Sequence, residues 1–319
     1  MRLMFRLVQC FVFSIICCQC VLADTTQESS FLTKWNKFFG LSTALYEPRF
    51  SKISAFKTTI YKVGIHPLHN PKRLFEVYKP LIDLFNKSIP EATFVLEASK
   101  NYDEFEKKLY AGHFDFALPN PYQTINAMKH GYHVFAKMGD DENFRGIILV
   151  RNDAGIRQIS DLKGKIIAYP ASTALAATLM PQYYLQTHGL NINTDIENIY
   201  VGSQESAIMN VLNRKVAAGA TWPVPWKAFI KNEPQLAKQL EVKWQTESLL
   251  NNSWMVKQAI PVDIIEKISA TLLNLSNTNE GKKILEAIPL SKFEAANDAT
   301  YKPIEMFVKN FNDTVRPLN

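Results

Sequence analysis

The sequence predicts an α/β protein of two lobes, each a mostly parallel sheet flanked by helices, facing each other across a cleft. Three observations carry this reading. From Thr58 onward, short apolar runs alternate with amphipathic stretches in strict β-α-β-α order. After the apolar run Arg145–Arg151 the same alternation begins again. The chain of 319 residues is 47% hydrophobic and 21% charged, which supplies a large core without setting it apart from an ordinary globular protein.

The first 23 residues read as a secretory signal. Arg2 and Arg6 form a positive start, residues 7–21 are apolar, and Val21-Leu22-Ala23 is a small-residue cleavage site. The run is short for a membrane span and no second long apolar run follows, although an uncleaved anchor is the alternative. Ile16 and Gln19 precede Cys17 and Cys20, where a lipid-attachment site carries a small residue. All four cysteines (Cys10, Cys17, Cys18, Cys20) lie in this segment. The exported chain therefore has no disulfide, no thiolate metal site and no cysteine nucleophile. Losing Arg2 and Arg6 takes the basic residues from 36 to 34 against 30 acidic ones, so the net charge drops from +6 to +4. That mild excess suits small anions. No Lys/Arg cluster of the kind nucleic acid requires is present.

Residues 24–57 read as a leader and linker. Their stretch 31–39 is amphipathic, either an arm for a membrane or partner or a leader helix on the body. The regular pattern then runs as follows: strand Thr59–Ile65; a loop, His66-Pro67-Leu68-His69-Asn70-Pro71; helix 74–87; strand 93–97; helix 102–111, stopped by Gly112; strand 114–118; the turn Pro119-Asn120-Pro121-Tyr122; helix 123–130, stopped by Gly131; and strand 133–137. In such sheets ligands sit beyond the carboxyl ends of the strands, which places 66–70 and 119–122 on one rim.

Strand Arg145–Arg151 leads into the repeat: a short helix Ile159–Leu162, strand Ile166–Tyr169, helix 174–186, strand 199–201, the loop Gly202-Ser203-Gln204-Glu205-Ser206, helix 207–213 and strand 216–220. The run Trp222-Pro223-Val224-Pro225-Trp226 interrupts the pattern, as an aromatic wall of the cleft or as hinge packing. Strands 242–245 and Ser253–Lys257 follow. Helices 261–275, Asn279–Ala287 and 301–311 close the chain. The domain reading is 1–23 signal, 24–57 leader, 58–150 first lobe, 151–257 second lobe and 258–319 C-terminal helices packing back on the lobes. The chain is expected to cross between lobes near 145–151 and 250–257.

One stretch carries chemistry. Strand Ile166–Tyr169 turns through Pro170-Ala171-Ser172-Thr173 into a helix. Two hydroxyls, the first-turn N–H groups and the helix dipole make an anion site there. The alternative is that Ser172 or Thr173 only caps the helix.

Taken together, these stretches resemble the phosphonate/phosphite/phosphate-binding proteins of ABC transporters, class II periplasmic binding proteins. The residues that carry the resemblance are Gly112-His113-Phe114-Asp115-Phe116-Ala117 with Asn120-Pro121-Tyr122, strand Arg145–Arg151, Asp161-Leu162-Lys163-Gly164-Lys165 leading to Pro170-Ala171-Ser172-Thr173, Met180-Pro181, and Ser203-Gln204-Glu205-Ser206-Ala207. It spans about residues 61–275, and the resemblance implies an extension to 311. The resemblance implies that Ser172 and Thr173, with backbone N–H groups of Thr173 and Ala174, hold phosphoryl oxygens. It places Gln204 where the family often has a histidine donor, and Glu205 where an acidic residue meets a ligand amine in some members. It places Tyr122 and Asn120 on the opposing rim. Ala174-Leu175, Ala217 and Pro119 depart from the family pattern.

The resemblance further implies a small phosphorus oxyanion (phosphate, phosphite or phosphonate) as solute, a membrane permease as partner, a periplasmic location and a monomer. A membrane sensor kinase is the alternative receiver of the loaded protein, and an enzyme on the same scaffold a further alternative. No cofactor is expected. His66 and His69 lack the spacing of a metal site, and no phosphate-loop or nucleophile-elbow motif is present, so no catalytic residue is assigned.

Overall fold

A computed structural model describes residues 58–318. The expected signal segment, all four cysteines and the leader 24–57 lie outside the described residues. In chain order the elements are β1 (Thr59–Ile65), α1 (Pro71–Ser88), β2 (Ala92–Glu97), α2 (Tyr102–Tyr110), β3 (Phe116–Leu118), α3 (Pro121–Met128), β4 (Tyr132–Met138) and β5 (Arg145–Arg151). Then come β6 (Ile166–Tyr169), α4 (Met180–Thr187, entered through a π-helical turn Leu175–Leu179), β7 (Glu197–Tyr200), α5 (Gln204–Leu212), β8 (Ala218–Thr221), α6 (Pro223–Asn232), α7 (Pro234–Ala237) and β9 (Leu240–Ser248). The last are β10 (Ser253–Lys257), α8 (Val262–Leu273), α9 (Asn279–Ala287), β11 (Phe293–Ala295) and α10 (Lys302–Thr314).

These strands form two sheets, ordered β11-β4-β10-β3-β1-β2 and β7-β6-β8-β5-β9. Both are mixed. Strands joined by crossover helices are parallel as expected: β1 with β2 and β3, and β6 with β7 and β8. Strands that arrive from the other sheet without a crossover pair antiparallel: β10 with β3 and β4, and β5 with β8 and β9. A helical crossover returns the chain to the same end of the sheet, whereas direct entry leaves it running the other way.

Both faces of each sheet are covered, as period-two alternation shows. In β5, Ile148 and Val150 join one core while Ile147 and Leu149 join another. In the first sheet Phe116 and Leu118 face helices α1, α8 and α9, and Ala117 faces the α2–α3 side. That second core continues through Phe144 and the C-terminal Tyr301, Ile304 and Phe311 into the second sheet, so the tail helix α10 belongs to both lobes.

The chain passes between sheets at 139–144 and 249–252, beside the strands where the sequence suggested crossings. The two passages are bonded to each other. Leu249 N–H donates to the Phe144 carbonyl at 2.9 Å and Asn251 N–H to Asp141 Oδ1 at 2.9 Å. The buried Lys137 is neutralised there by Asp141 (2.9 Å) and Glu294 (2.7 Å).

Several boundaries differ from expectation for one reason. Pro71, Pro121 and Pro223, which the sequence pattern places in loops, occupy the first turn of α1, α3 and α6, where the missing N–H costs nothing. The Trp222–Trp226 run is thus the start of a helix, not an interruption. Trp222 packs on Phe144 (5.6 Å between rings) and Trp226 stacks on Phe229 (5.8 Å). Helices α6 and α7 and the short strand β11 had no counterpart in the sequence pattern.

Candidate functional site

The loops at the carboxyl ends of β1, β2 and β3 form one rim, and those after β6, β7 and β8 form the other. Each is held by local bonds that leave specific groups facing across.

On the first rim, His66 follows β1. Its ring is buried between Tyr102 and Phe105 (6.0 and 6.4 Å), and Nδ1 donates to the Leu118 carbonyl at 2.9 Å. Burial pushes its pKa down to about 4, so the ring is neutral; a charge on His69 would push it the same way and the Leu118 bond opposes. His69 is also buried, with Nδ1 at 3.2 Å from Glu205 Oε1. After β2, Asn101 caps α2 by accepting from Glu104 N–H at 2.9 Å. Tyr102 and Glu106 lie one helical turn apart and so share a face. Desolvation raises the Glu106 pKa and Asp103 adds to it, against the bonds it accepts from Thr173 and Gln123. After β3, Asn120 and Gln123 form a reciprocal capping box on α3.

On the second rim, Ala174 occupies the N-cap position in an extended conformation with no side-chain cap bond. Neither Ser172 nor Thr173 caps the helix, so the cap alternative fails. The turn is held instead by Thr178 Oγ1 donating to the Ala171 carbonyl at 2.7 Å, with Ala174 N–H reaching the same oxygen at 3.3 Å. The N–H of Ala174, expected to face a ligand, is therefore shared with its own turn. Gly146 lies under this helix: a Cβ there would come within 2.6 Å of the Ala176 carbonyl and of the Pro181 ring. That close approach seats the π-helical turn against β5.

Gln204 and Glu205, expected in a loop, are the first residues of α5. Ser203 caps that helix by accepting from Ser206 N–H at 3.1 Å. An acidic residue in the first turn also suits the dipole. Gln204 is buried, with Oε1 accepting from Thr221 Oγ1 at 2.8 Å. Glu205 Oε2 is buried without a partner.

Four contacts join the rims. Asn120 Nδ2 donates to the Thr173 carbonyl at 3.1 Å. Thr173 Oγ1 donates to Glu106 Oε1 at 2.5 Å. Gln204 Nε2 reaches the Tyr102 hydroxyl at 3.4 Å, and His69 meets Glu205. These contacts bring Asn120, Thr173, Gln204 and Glu205 together. Tyr122 is buried beside them in the first turn of α3, and Ser172 offers its carbonyl to Arg316 at 3.2 Å.

Four neighbours escaped the sequence reading: Glu106, Tyr102, Thr221 and Arg316. For the first two the sequence offers only a four-residue spacing on the helix after β2, which does not set Glu106 apart from its charged neighbours. Arg316 comes from the tail beyond α10. Its Nη2 bridges the Ser172 carbonyl and Gln182 Oε1, both at 3.2 Å. Among the described residues no cluster of three or more His, Cys, Asp or Glu could hold a metal ion, and no helix is long and apolar enough to cross a membrane.

Residues 63–301 match the family model described as ABC transporter, phosphonate, periplasmic substrate-binding protein. The probable ABC transporter phosphite binding protein PhnD1 of Prochlorococcus marinus is 23% identical over 296 residues, covering 86% of this chain and 98% of that protein. The solved structure of PhnD1 in complex with methylphosphonate is similar with a TM-score of 0.73 at 20% identity, over 80% of this chain and 98% of that one. A binding protein component of an ABC phosphonate transporter from Pseudomonas aeruginosa gives a TM-score of 0.72 at 16% identity, over 81% and 88%.

Proposed function

The chain belongs to the periplasmic substrate-binding proteins of phosphonate ABC transporters, and from that premise we propose that it captures a small phosphorus oxyanion (phosphate, phosphite or a phosphonate) between its rims and delivers it to a membrane permease. Ser172 and Thr173 supply hydroxyls, and the backbone from Thr173 into the first turn supplies N–H groups. Asn120, Tyr122 and Gln204 complete the enclosure with neutral donors, and Glu205 faces any amine the ligand carries. Neutral donors bind an anion in a dehydrated cleft without a full counter-charge. The protein works as a monomer, exported with residues 1–23 removed. The passages 139–144 and 249–252 act as the hinge, and the ligand favours the closed form through its contacts with both rims.

The observation that supports this reading most is the Ser172–Thr173 turn. Its hydroxyls are not spent on capping the helix, and its backbone is held against the opposing rim by Asn120. The methylphosphonate complex of PhnD1 supports the ligand class. The test is calorimetric titration of the unmutated chain and of the Ser172→Ala/Thr173→Ala double variant with phosphate, phosphite, methylphosphonate and 2-aminoethylphosphonate. At least one ligand binds the unmutated chain and none binds the variant. Undiminished binding by the variant moves the site elsewhere.

A further inference from the structure

The carboxylate of Glu106 stands at the anion cradle with no counter-charge. Its Oε1 accepts from two donors, the Thr173 hydroxyl at 2.5 Å and Gln123 Nε2 at 2.9 Å. The lysines on its own helix serve elsewhere: Lys108 pairs with Glu97 and Glu104, and Lys107 is exposed. Among the described residues no Lys, Arg or His forms an ion pair with Glu106. The ionisable groups around it are Asp103, Tyr102 and Tyr110 on α2 and Tyr122 on α3. Glu205 on α5 reaches the same Tyr102, and Arg316 from the tail acts on Tyr122. A bare carboxylate facing a site for anions is a conflict of like charges unless a proton lies between them.

The Thr173 hydroxyl has one proton, and it donates it to Glu106 in a hydrogen bond. A ligand oxygen that accepts this proton leaves Glu106 without its shortest donor and facing an anion. A proton shared between Glu106 and the ligand removes both penalties. Resting on the cradle reading above, we propose that Glu106 determines specificity: it accepts the hydrogen bond of the ligand's own acidic P–OH group. The site therefore selects oxyanions that can carry a proton near neutral pH and rejects permanently deprotonated tetrahedral anions of the same shape, such as sulfonates. A phosphonate or phosphite monoanion supplies the proton itself. A dianion binds only with uptake of one proton from solvent, whether that proton is drawn on the ligand or on Glu106.

Methylphosphonate and methanesulfonate are matched in shape and differ in this proton. Calorimetric titration of the full chain with each, in buffers of different ionisation heat across the neutral range, counts the protons taken up. The unmutated chain prefers methylphosphonate by about tenfold to hundredfold, the range of one hydrogen bond to a charged group. Toward the alkaline side it takes up close to one proton on binding. Glu106→Gln removes the charge at constant size. It binds methanesulfonate within about tenfold of methylphosphonate and loses the proton uptake. Absence of proton uptake by the unmutated chain, equal affinity for the two ligands, or retained selectivity in Glu106→Gln each overturns the proposal. The proton count needs no variant, so it stands even where Glu106→Gln folds poorly. The Ser172→Ala/Thr173→Ala chain separates the two readings. Lost methylphosphonate binding there with selectivity unchanged in Glu106→Gln refutes only the role of Glu106. Retained binding there, or no binding of methylphosphonate by the unmutated chain, refutes the cradle and with it this inference.

Discussion

Acid should destabilise this protein through His66, and the size of the effect follows from its surroundings. The ring is 3% exposed and packs against two aromatic edges, and its pKa is pushed down to about 4. In the unfolded chain it returns to about 6.5. Between those values the unfolded state binds more protons than the folded one, so stability is complete above the unfolded value and is lost as pH falls. Near pH 5 an unfolded imidazole is almost fully protonated and the buried one about a tenth, which costs about 2 kcal/mol; well below pH 4 the loss levels off at about 3 kcal/mol. Urea unfolding at a series of pH values measures it. His66→Gln keeps a donor for the Leu118 carbonyl and removes the titration. The variant's stability, whatever its value at neutral pH, should fall less steeply between pH 6.5 and 4 by that amount. Identical slopes for the two chains would refute the argument. So would an NMR titration that puts the His66 ring near its ordinary value.

Arg316→Ala removes two guanidinium bonds and a cation packed 5.4 Å from the Phe311 ring; a loss of about 1–3 kcal/mol is expected in urea unfolding. Methylphosphonate affinity should weaken as well, because Arg316 steadies the Ser172 carbonyl, and Arg316→Lys should restore charge without restoring the bridge. Gly146→Ala places a methyl 2.6 Å from the Ala176 carbonyl. Overpacking of about 1–3 kcal/mol is expected, with a parallel drop in ligand affinity because the start of the helix must shift. Wild-type stability and affinity in that variant would show that the contact between β5 and the π-helical turn is loose.

The alternation of apolar runs made the lobes legible, because both faces of each sheet must be covered and the period of each run records it. β5 is the clearest case: its central residues alternate between two cores while the run Ile147–Val150 reads as continuously apolar. The prolines were misleading for the opposite reason. One residue type marks both turns and helix starts, and only tertiary context separates Pro223 at the head of α6 from a break. The Ser172–Thr173 turn was legible as a strand-to-helix junction of hydroxyl residues. Its partners were not. Glu106 sits within an ordinary charged helix, Tyr102-Asp103-Glu104-Phe105-Glu106-Lys107-Lys108, where nothing local distinguishes it from the solvated Glu104. Arg316 is separated from Ser172 by most of the second lobe in sequence and is brought back by α10. Residues that act across a cleft are fixed by the assembly of lobes, and periodicity within one lobe carries no trace of them.

The four contacts between rims differ in what a ligand can do to them. Asn120 donates to a backbone carbonyl of Thr173, and His69 meets Glu205; neither bond uses a hydroxyl or an N–H group of the Ser172–Thr173 turn. The bond from Thr173 to Glu106 uses the hydroxyl that the proposed function assigns to the ligand. Closure and capture are therefore partly separable. On the proposed reading the first two contacts set how near the rims approach, and the third is exchanged when an oxyanion enters. An exchanged hydrogen bond adds only the difference between two bonds, and the net worth of one bond is about 0.5–1.5 kcal/mol. The Thr173 hydroxyl therefore contributes little to affinity by itself and much to selectivity, because what replaces it on Glu106 depends on the ligand. Affinity must come from the donors that gain a new partner, the Ser172 hydroxyl together with the N–H groups of the first turn, which have no acceptor inside their own helix. A ligand can shift the lobes only by the contacts it makes in one arrangement and not the other, and on the proposed reading the donors of the Ser172–Thr173 turn supply the largest part of that difference.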